Sequence, residues 1–163
     1  MTILVRMGLL LLAIVWFGCG GRVPEGLGAD QGSLAPCPNK PNCVSSFADD
    51  GDHRIAALVI EGSVAAAWAG LQALLEDAPR AEIIASSENY IHVVYVSSLM
   101  RYRDDVEFLL RTDEREIAIR SASRVGYGDM GVNRSRIEAI RDALSGRGLV
   151  RSSAADGSSG PAE

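Results

Sequence analysis

The sequence is poor in the residues on which many hydrolases and metal sites depend. Its 163 residues include three cysteines, one lysine and two histidines, His53 and His92. A histidine-based hydrolase would have to use one of these two side chains, yet no G-x-S-x-G, H-E-x-x-H or P-loop motif occurs. His92 stands among apolar residues in a strand pattern, which favours a packed side chain over a catalytic one. We therefore expect no catalytic triad, no metal centre and no cofactor.

Positive charge is also scarce. The chain carries 16 basic and 21 acidic residues, and this net charge of −5 argues against a nucleic-acid binder that relies on phosphate contacts. The charge is uneven, because residues 101–147 hold 10 arginines against 9 acidic residues while residues 20–100 hold 4 basic and 10 acidic residues. Apolar residues at 47% and charged residues at 23% are typical of one globular domain.

Long hydrophobic runs are missing as well. The longest run ends at Gly18 and covers about a dozen residues, fewer than the about 20 that a membrane-spanning helix needs. Its basic start and small residues predict a signal peptide over residues 1–18. Cys19 follows directly and resembles the acylated cysteine of the bacterial lipobox, although Trp16 and Phe17 depart from that motif. The resemblance implies a lipid anchor at Cys19 in the bacterial cell envelope, facing the periplasm or the exterior; an ordinary signal or an uncleaved anchor is the alternative.

The two remaining cysteines, Cys37 and Cys43, enclose a short Pro-rich loop. An exported compartment favours a disulfide between them, whereas zinc would need four ligands and the chain has no second cysteine pair. The Gly-rich residues 19–36 predict a flexible tether, and the Ser- and Gly-rich residues 148–163 predict a disordered tail. A single domain is thus expected over residues 37–147.

Strand and helix patterns alternate through this domain in the order β-α-ββ-ββ-α. Predicted strands cover residues 55–60, 82–87, 90–98, 104–111 and 115–123, and predicted helices cover residues 63–77 and a last segment capped by Asn133 or Ser135. We expect an α+β fold of two layers, in which an antiparallel sheet of about five strands carries two helices on one face.

The second hairpin carries charges at matched positions. A two-residue turn places Glu116 opposite Arg111 and Arg120 opposite Glu107, all on the face that does not carry the apolar residues. One interpretation is a set of solvated ion pairs that contribute about 0.2 to 1 kcal/mol each. The other is a polar binding face that contains Asp105, Glu107 and Arg120.

The last predicted strand is followed by a G-x-G-x-x-G pattern at residues 126–131. We reject a dinucleotide site, because no further parallel strand follows the closing helix. A helix N-terminus near Arg124 and Arg134 would favour an anion, unless Asp129 itself pairs with these arginines. The candidate ligand-binding residues are Asp105, Glu107, Arg120, Ser123, Arg124, Asp129, Asn133 and Arg134.

Three blocks of the sequence are similar to a known family. They are Cys37 with residues 41–46, residues 104–107, and residues 120–134. These blocks resemble the domain of unknown function family DUF1499, which is found widely in bacterial envelopes and in some plastids. The resemblance implies a single compact domain, often on an exported protein, and it brings no established activity.

Three functions remain open at this point. The leading hypothesis is a non-catalytic envelope lipoprotein that binds an unknown protein or a small anionic ligand through its arginines. The second is an enzyme that uses Asp105 or Glu107 with Asp129 as general acid and base. The third is an assembly factor, which would need an exposed apolar patch.

Overall fold

A computed structural model of the chain describes residues 21–152. The predicted signal peptide, Cys19 and the last residues of the predicted tail lie outside the described residues. Within the described range, no helix is both long and apolar enough to cross a membrane.

The fold is an antiparallel sheet covered by two helices. Its elements are β1 (Cys43–Ser45), β2 (Leu58–Val59), α1 (Val64–Glu76), β3 (Ala81–Ser86), β4 (Tyr90–Val96), β5 (Arg103–Arg111), β6 (Glu116–Ser123) and α2 (Val132–Ser145). The strands lie in the order β1-β6-β5-β4-β3, and β2 also pairs with β6. The α+β prediction is confirmed. The sheet has six strands rather than about five, because the three-residue β1 is too short to show a pattern in the sequence.

The pairing of β5 with β6 fixes the two faces of the sheet. Arg111 lies opposite Glu116 and Glu107 opposite Arg120, so the predicted register is confirmed. The alternate residues, among them Phe108 and Ile119, are buried beneath both helices and form the main core. We call this side the helix face and the opposite side the outer face.

Helix α1 begins and packs as its sequence predicts. The hydroxyl of Ser63 accepts a hydrogen bond from the backbone N–H of Ala66, which caps the first turn. Leu71 and Leu75, one turn apart, are buried in the core. Gly70 lies in the helix interior, where glycine is usually unfavourable, because the side chain of Leu149 fills the space that a Cβ would occupy.

The buried core includes residues outside the range 37–147 at both ends. Leu34, placed in the predicted tether, is buried against the outer face with Leu109 and Ala118. Val150, placed in the predicted tail, is buried and forms a bridge with Ile60. Both are isolated apolar residues in polar or Gly-rich surroundings, so local composition alone does not indicate that they are buried.

Candidate functional site

Six polar side chains on or beside the outer face form two adjacent bonded clusters, which together we call the outer charge layer. Its members are Tyr90, His92, Asp105, Glu107, Arg120 and Arg124. Alternate residues of a strand share a face, and neighbouring strands place His92 opposite Glu107 and Glu107 opposite Arg120. The layer therefore follows from the alternation and register of β4, β5 and β6.

Asp105 is the centre of one half of the layer. Its carboxylate accepts two hydrogen bonds from Arg124, at 2.8 and 2.7 Å, and lies 2.8 Å from Nε2 of His92. Burial alone would raise the pKa of Asp105, but the bonds from Arg124 and His92 outweigh it and hold the pKa below its ordinary value. A carboxylate held ionised in this way cannot serve as a general acid near neutral pH.

Glu107 is the centre of the other half. One carboxylate oxygen accepts from the Tyr90 hydroxyl and from the backbone N–H of Gly28, both at 2.8 Å. The second accepts from Nη1 of Arg120 at 3.1 Å. Burial and then the Glu107 charge raise the pKa of Tyr90, so its hydroxyl stays protonated and continues to donate.

The carboxylates and guanidinium groups of the outer charge layer are closed to solvent. Asp105 and Glu107 have no exposed surface, and Arg120 is only 6% exposed. The interpretation of the hairpin charges as solvated pairs is therefore wrong for Glu107 and Arg120, because the Gly28–Leu34 region lies over this face. Nε of Arg120 has no partner among the described residues, yet it is buried as well. With two carboxylates and two guanidinium groups, the layer balances its own charge.

The carboxylate of Asp129 occupies the N-terminus of α2, where the sequence suggested a bound anion. Its carboxylate accepts from the backbone N–H groups of Gly131 and Asn133, at 2.9 and 2.8 Å, and also from the Asn133 side chain. It thus caps α2, whose N-cap residue is Gly131 rather than Asn133 or Ser135. The described partners of Asp129 are thus groups at the helix N-terminus and not the neighbouring arginines.

Asn133 and Arg134 connect the start of α2 to neighbouring segments through hydrogen bonds. Asn133 is fully buried, and its amide bonds to the hydroxyls of Ser121 and Ser123 and to the carbonyl of Asn42. Arg134 donates to two backbone carbonyls, those of residues 52 and 54. Ser123 and Asn133 share the helix face, whereas Asp105 and Glu107 bond on the outer face. The structure therefore does not bring Asp129 together with either carboxylate of the proposed acid–base pair.

The predicted disulfide between Cys37 and Cys43 is confirmed. A cleft of about 410 Å³ lies beside it and is lined partly by Phe47, Asp50 and His53. His53 places Nδ1 2.8 Å from Asp50 and Nε2 3.0 Å from the carbonyl of Lys40. The Lys40 carbonyl and then Asp50 raise the pKa of His53. Because both ring nitrogens face acceptors, neither offers a lone pair to a metal ion or a substrate proton.

Between residues 21 and 152, no group of three or more histidine, cysteine or acidic side chains converges in a way that could hold an ion.

Exposed apolar side chains concentrate at one end of the sheet. The loops 97–102 and 124–131 meet there, because β5 begins where β4 and β6 end, and the N–H of Arg124 bonds the carbonyl of Arg103. We call these two loops the loop end. Seven of the nine large apolar side chains that are exposed in the described range lie on them or directly beside them: Leu99, Met100, Tyr102, Val125, Tyr127, Met130 and Val132.

Comparison with known families identifies the chain. The sequence model of the family described as "Protein of unknown function (DUF1499)" matches residues 33–144, which is more than half of the chain. The protein belongs to the DUF1499 family. The DUF1499 match covers the sheet, α1, all of α2 except Ser145, and the loop end, while Gly21 and Gly28 precede it. Comparisons with curated proteins and with solved structures found no match.

The sequence indicates part of this arrangement. Asp105, Glu107, Arg120 and Arg124 are among the predicted site residues, whereas Asp129 and Arg134, predicted with them, lie elsewhere. Neither the Tyr90 donor nor the loop end is among the predictions. Large apolar residues inside segments without strand or helix periodicity, such as those of loop 97–102, are a usable signal for an exposed apolar patch.

Proposed function

We propose that this DUF1499 protein is an exported lipoprotein, anchored through Cys19, whose domain is a non-catalytic binding module of the bacterial cell envelope. Its binding surface is the loop end, and its partner is anionic. The arginines that serve this purpose are Arg80, Arg101 and Arg103, in place of the arginines named from the sequence.

The distribution of exposed chemistry supports a binding role. Asp105 and Glu107, one of which acid–base catalysis would need, are buried in bonds to arginine, histidine and tyrosine. The apolar side chains that most soluble proteins bury are instead displayed together at the loop end. A contiguous apolar surface bordered by polar residues usually marks an interaction site rather than a reaction site.

The free cations support an anionic partner. Arg80, Arg101 and Arg103 are exposed, and none of them pairs with an acidic residue within the described range. The carbonyl of Arg80 accepts from the N–H of Val96 at 2.9 Å, so this arginine stands at the same end of the sheet. By contrast, the side chains of Arg120 and Arg124 are buried in bonds to carboxylates and are not displayed to a ligand at the surface.

Two measurements test this function in cells that express the full chain. Intact-mass analysis of the membrane fraction should find the mature protein with acyl groups on Cys19. A photo-crosslinking amino acid in place of Tyr127 should then capture a partner molecule.

The matched control is the same photoprobe at Asp113, in the exposed turn at the opposite end of the hairpin. We expect adducts from position 127 and none from position 113. An unlipidated Cys19, or equal capture at both positions, would contradict the proposed function.

A further inference from the structure

We infer that the loop end rests on the anionic surface of the bilayer that holds the protein's own lipid anchor. This inference rests on the proposed function and specifies its anionic partner as lipid headgroups.

The apolar side chains of the loop end are displayed at a conformational cost. Leu99 is 86% exposed, Tyr127 is 73% exposed and Met130 is fully exposed. Met130 adopts a left-handed backbone with φ of 54°, which is unfavourable for a residue other than glycine, and Gly131 follows with φ of 78°. Met130 and Gly131 are the central residues of a tight turn, which is closed by the bond from the N–H of Val132 to the carbonyl of Asp129 at 3.1 Å. Apolar and aromatic side chains in such positions insert into the headgroup region of a bilayer.

The charge of the loop end fits an anionic lipid surface. Loop 97–102 contains no acidic residue, and the one acidic residue of loop 124–131, Asp129, is bound to the start of α2. Asp104, at the start of β5, is bound to Arg136. The protein as a whole carries a net charge of −5, so a basic and apolar end determines which side can approach an anionic membrane.

The start of the described chain lies at the same end. Gly21 packs so closely on the β6–α2 loop that an added Cβ would lie 2.8 Å from the Cβ of Arg124 and from Cγ2 of Val125. Cys19 is two residues before Gly21, and two residues span at most about 7 Å. Acyl chains on Cys19 would therefore enter the bilayer beside the loop end, with no length of chain to hold the domain away from it.

Fluorescence quenching of the lipidated full chain in vesicles tests this docking. The Tyr127→Trp variant reports on the loop end, and the Asp113→Trp variant reports on the opposite end as the matched control. Vesicles contain phosphatidylglycerol and brominated phosphatidylcholine, and the wild-type signal gives the background of Trp68, the native tryptophan that follows Cys19 in the sequence. We expect quenching of the reporter at position 127 and none at position 113. Equal quenching of both, or of neither, overturns the inference.

Two further variants separate the contributions. Each arginine near an anionic surface contributes about fivefold to membrane association, so Arg101→Gln with Arg103→Gln should lower the docked-to-undocked ratio about 25-fold. Arg147→Gln, at the far end of α2, is the charge control and should change nothing. Leu99→Ser with Met130→Ser should abolish quenching of the tryptophan reporter at position 127. Ile84→Ser, an exposed apolar control on β3, should leave that quenching unchanged.

The outcomes distinguish this inference from the proposed function. If position 127 captures a protein in cells while its tryptophan reporter is not quenched in vesicles, the loop end binds a protein and the membrane inference is wrong. Quenching that persists in vesicles of phosphatidylcholine alone, undiminished, contradicts the assignment to anionic headgroups. Circular dichroism of each variant shows whether the fold is retained, as we expect for side chains this exposed.

Discussion

The substitution Asp105→Asn tests whether the outer charge layer is structural. It keeps the size and shape of the side chain but removes the charge that the Arg124 guanidinium faces. The Arg124 side chain is 5% exposed and that of Asp105 is not exposed, so water cannot replace the lost partner. The variant leaves a buried cation without its counterion, and three hydrogen bonds lose a charged acceptor.

The expected loss is large for a single substitution. Removing one member of a buried ion pair typically lowers the free energy of unfolding by about 3 to 5 kcal/mol. For a domain of this size, that corresponds to a fall of about 10 to 20 °C in the midpoint of thermal unfolding. The reference is Glu114→Gln, because Glu114 pairs with Arg111 at the exposed hairpin turn; there we expect a loss below about 1 kcal/mol.

Urea unfolding followed by circular dichroism measures both variants. The double variant Asp105→Leu with Arg124→Met removes both charges and should recover most of the stability, because apolar replacement of a whole buried pair is often neutral. A loss of less than about 1 kcal/mol in Asp105→Asn would refute the reasoning that the layer is a closed structural network. If Asp105→Asn does not fold, recovery of folding in the double variant still attributes the defect to the unpaired guanidinium.

Four further outcomes follow from the same contacts. Arg124 and His92 hold the pKa of Asp105 low despite its burial, so the stabilisation from the ionised carboxylate is present above about pH 4 and is lost as the pH falls through the folded-state pKa. Urea unfolding across this range should therefore show the free energies of unfolding of wild type and Asp105→Asn converging as the pH falls. Asp129→Ala removes the α2 cap and should lower the free energy of unfolding by about 1 to 2 kcal/mol in the same assay. The His53 ring should titrate above its ordinary pKa of 6.5 by NMR, because the Lys40 carbonyl and Asp50 favour its charged form, and Asp50→Asn should lower that midpoint. Reduction of the disulfide should lower the free energy of unfolding by roughly 2 to 3 kcal/mol, which a fall in the midpoint of thermal unfolding would show.

Much of the fold follows from local patterns. The β5–β6 register was predictable because Val106, Phe108, Ile117 and Ile119 alternate with polar residues around a short turn. The cap of α1 was predictable because Ser63 precedes a clear apolar stripe. The pairing of β1 was not, since three residues show no period and their position depends on contacts with β6 that are far away in sequence.

The site was harder to predict, because the sequence pattern of a cross-strand charge pair does not show whether the pair is buried or exposed. Glu107–Arg120 and Glu116–Arg111 are the same kind of cross-strand pair in sequence, yet one is buried and the other is partly exposed. The difference arises from Gly28 and its neighbours, whose position over the sheet depends on a backbone bond to Glu107. A Gly-rich segment has no periodicity from which this contact could have been predicted.

The outer charge layer and the loop end are connected through the N-terminal segment. Glu107 binds the N–H of Gly28, and Asp105 holds Arg124, whose Cβ lies against Gly21. The layer thus holds Gly28 against the outer face and Gly21 against the β6–α2 loop, next to the exposed apolar side chains. A membrane-anchored domain on a flexible tether would sample all orientations, because a tether transmits no direction. A segment bonded along the outer face restricts the orientation instead. On this reasoning, Asp105→Asn should reduce quenching of the tryptophan reporter at position 127 even under conditions in which the domain stays folded, although Asp105 itself is closed to solvent and to lipid.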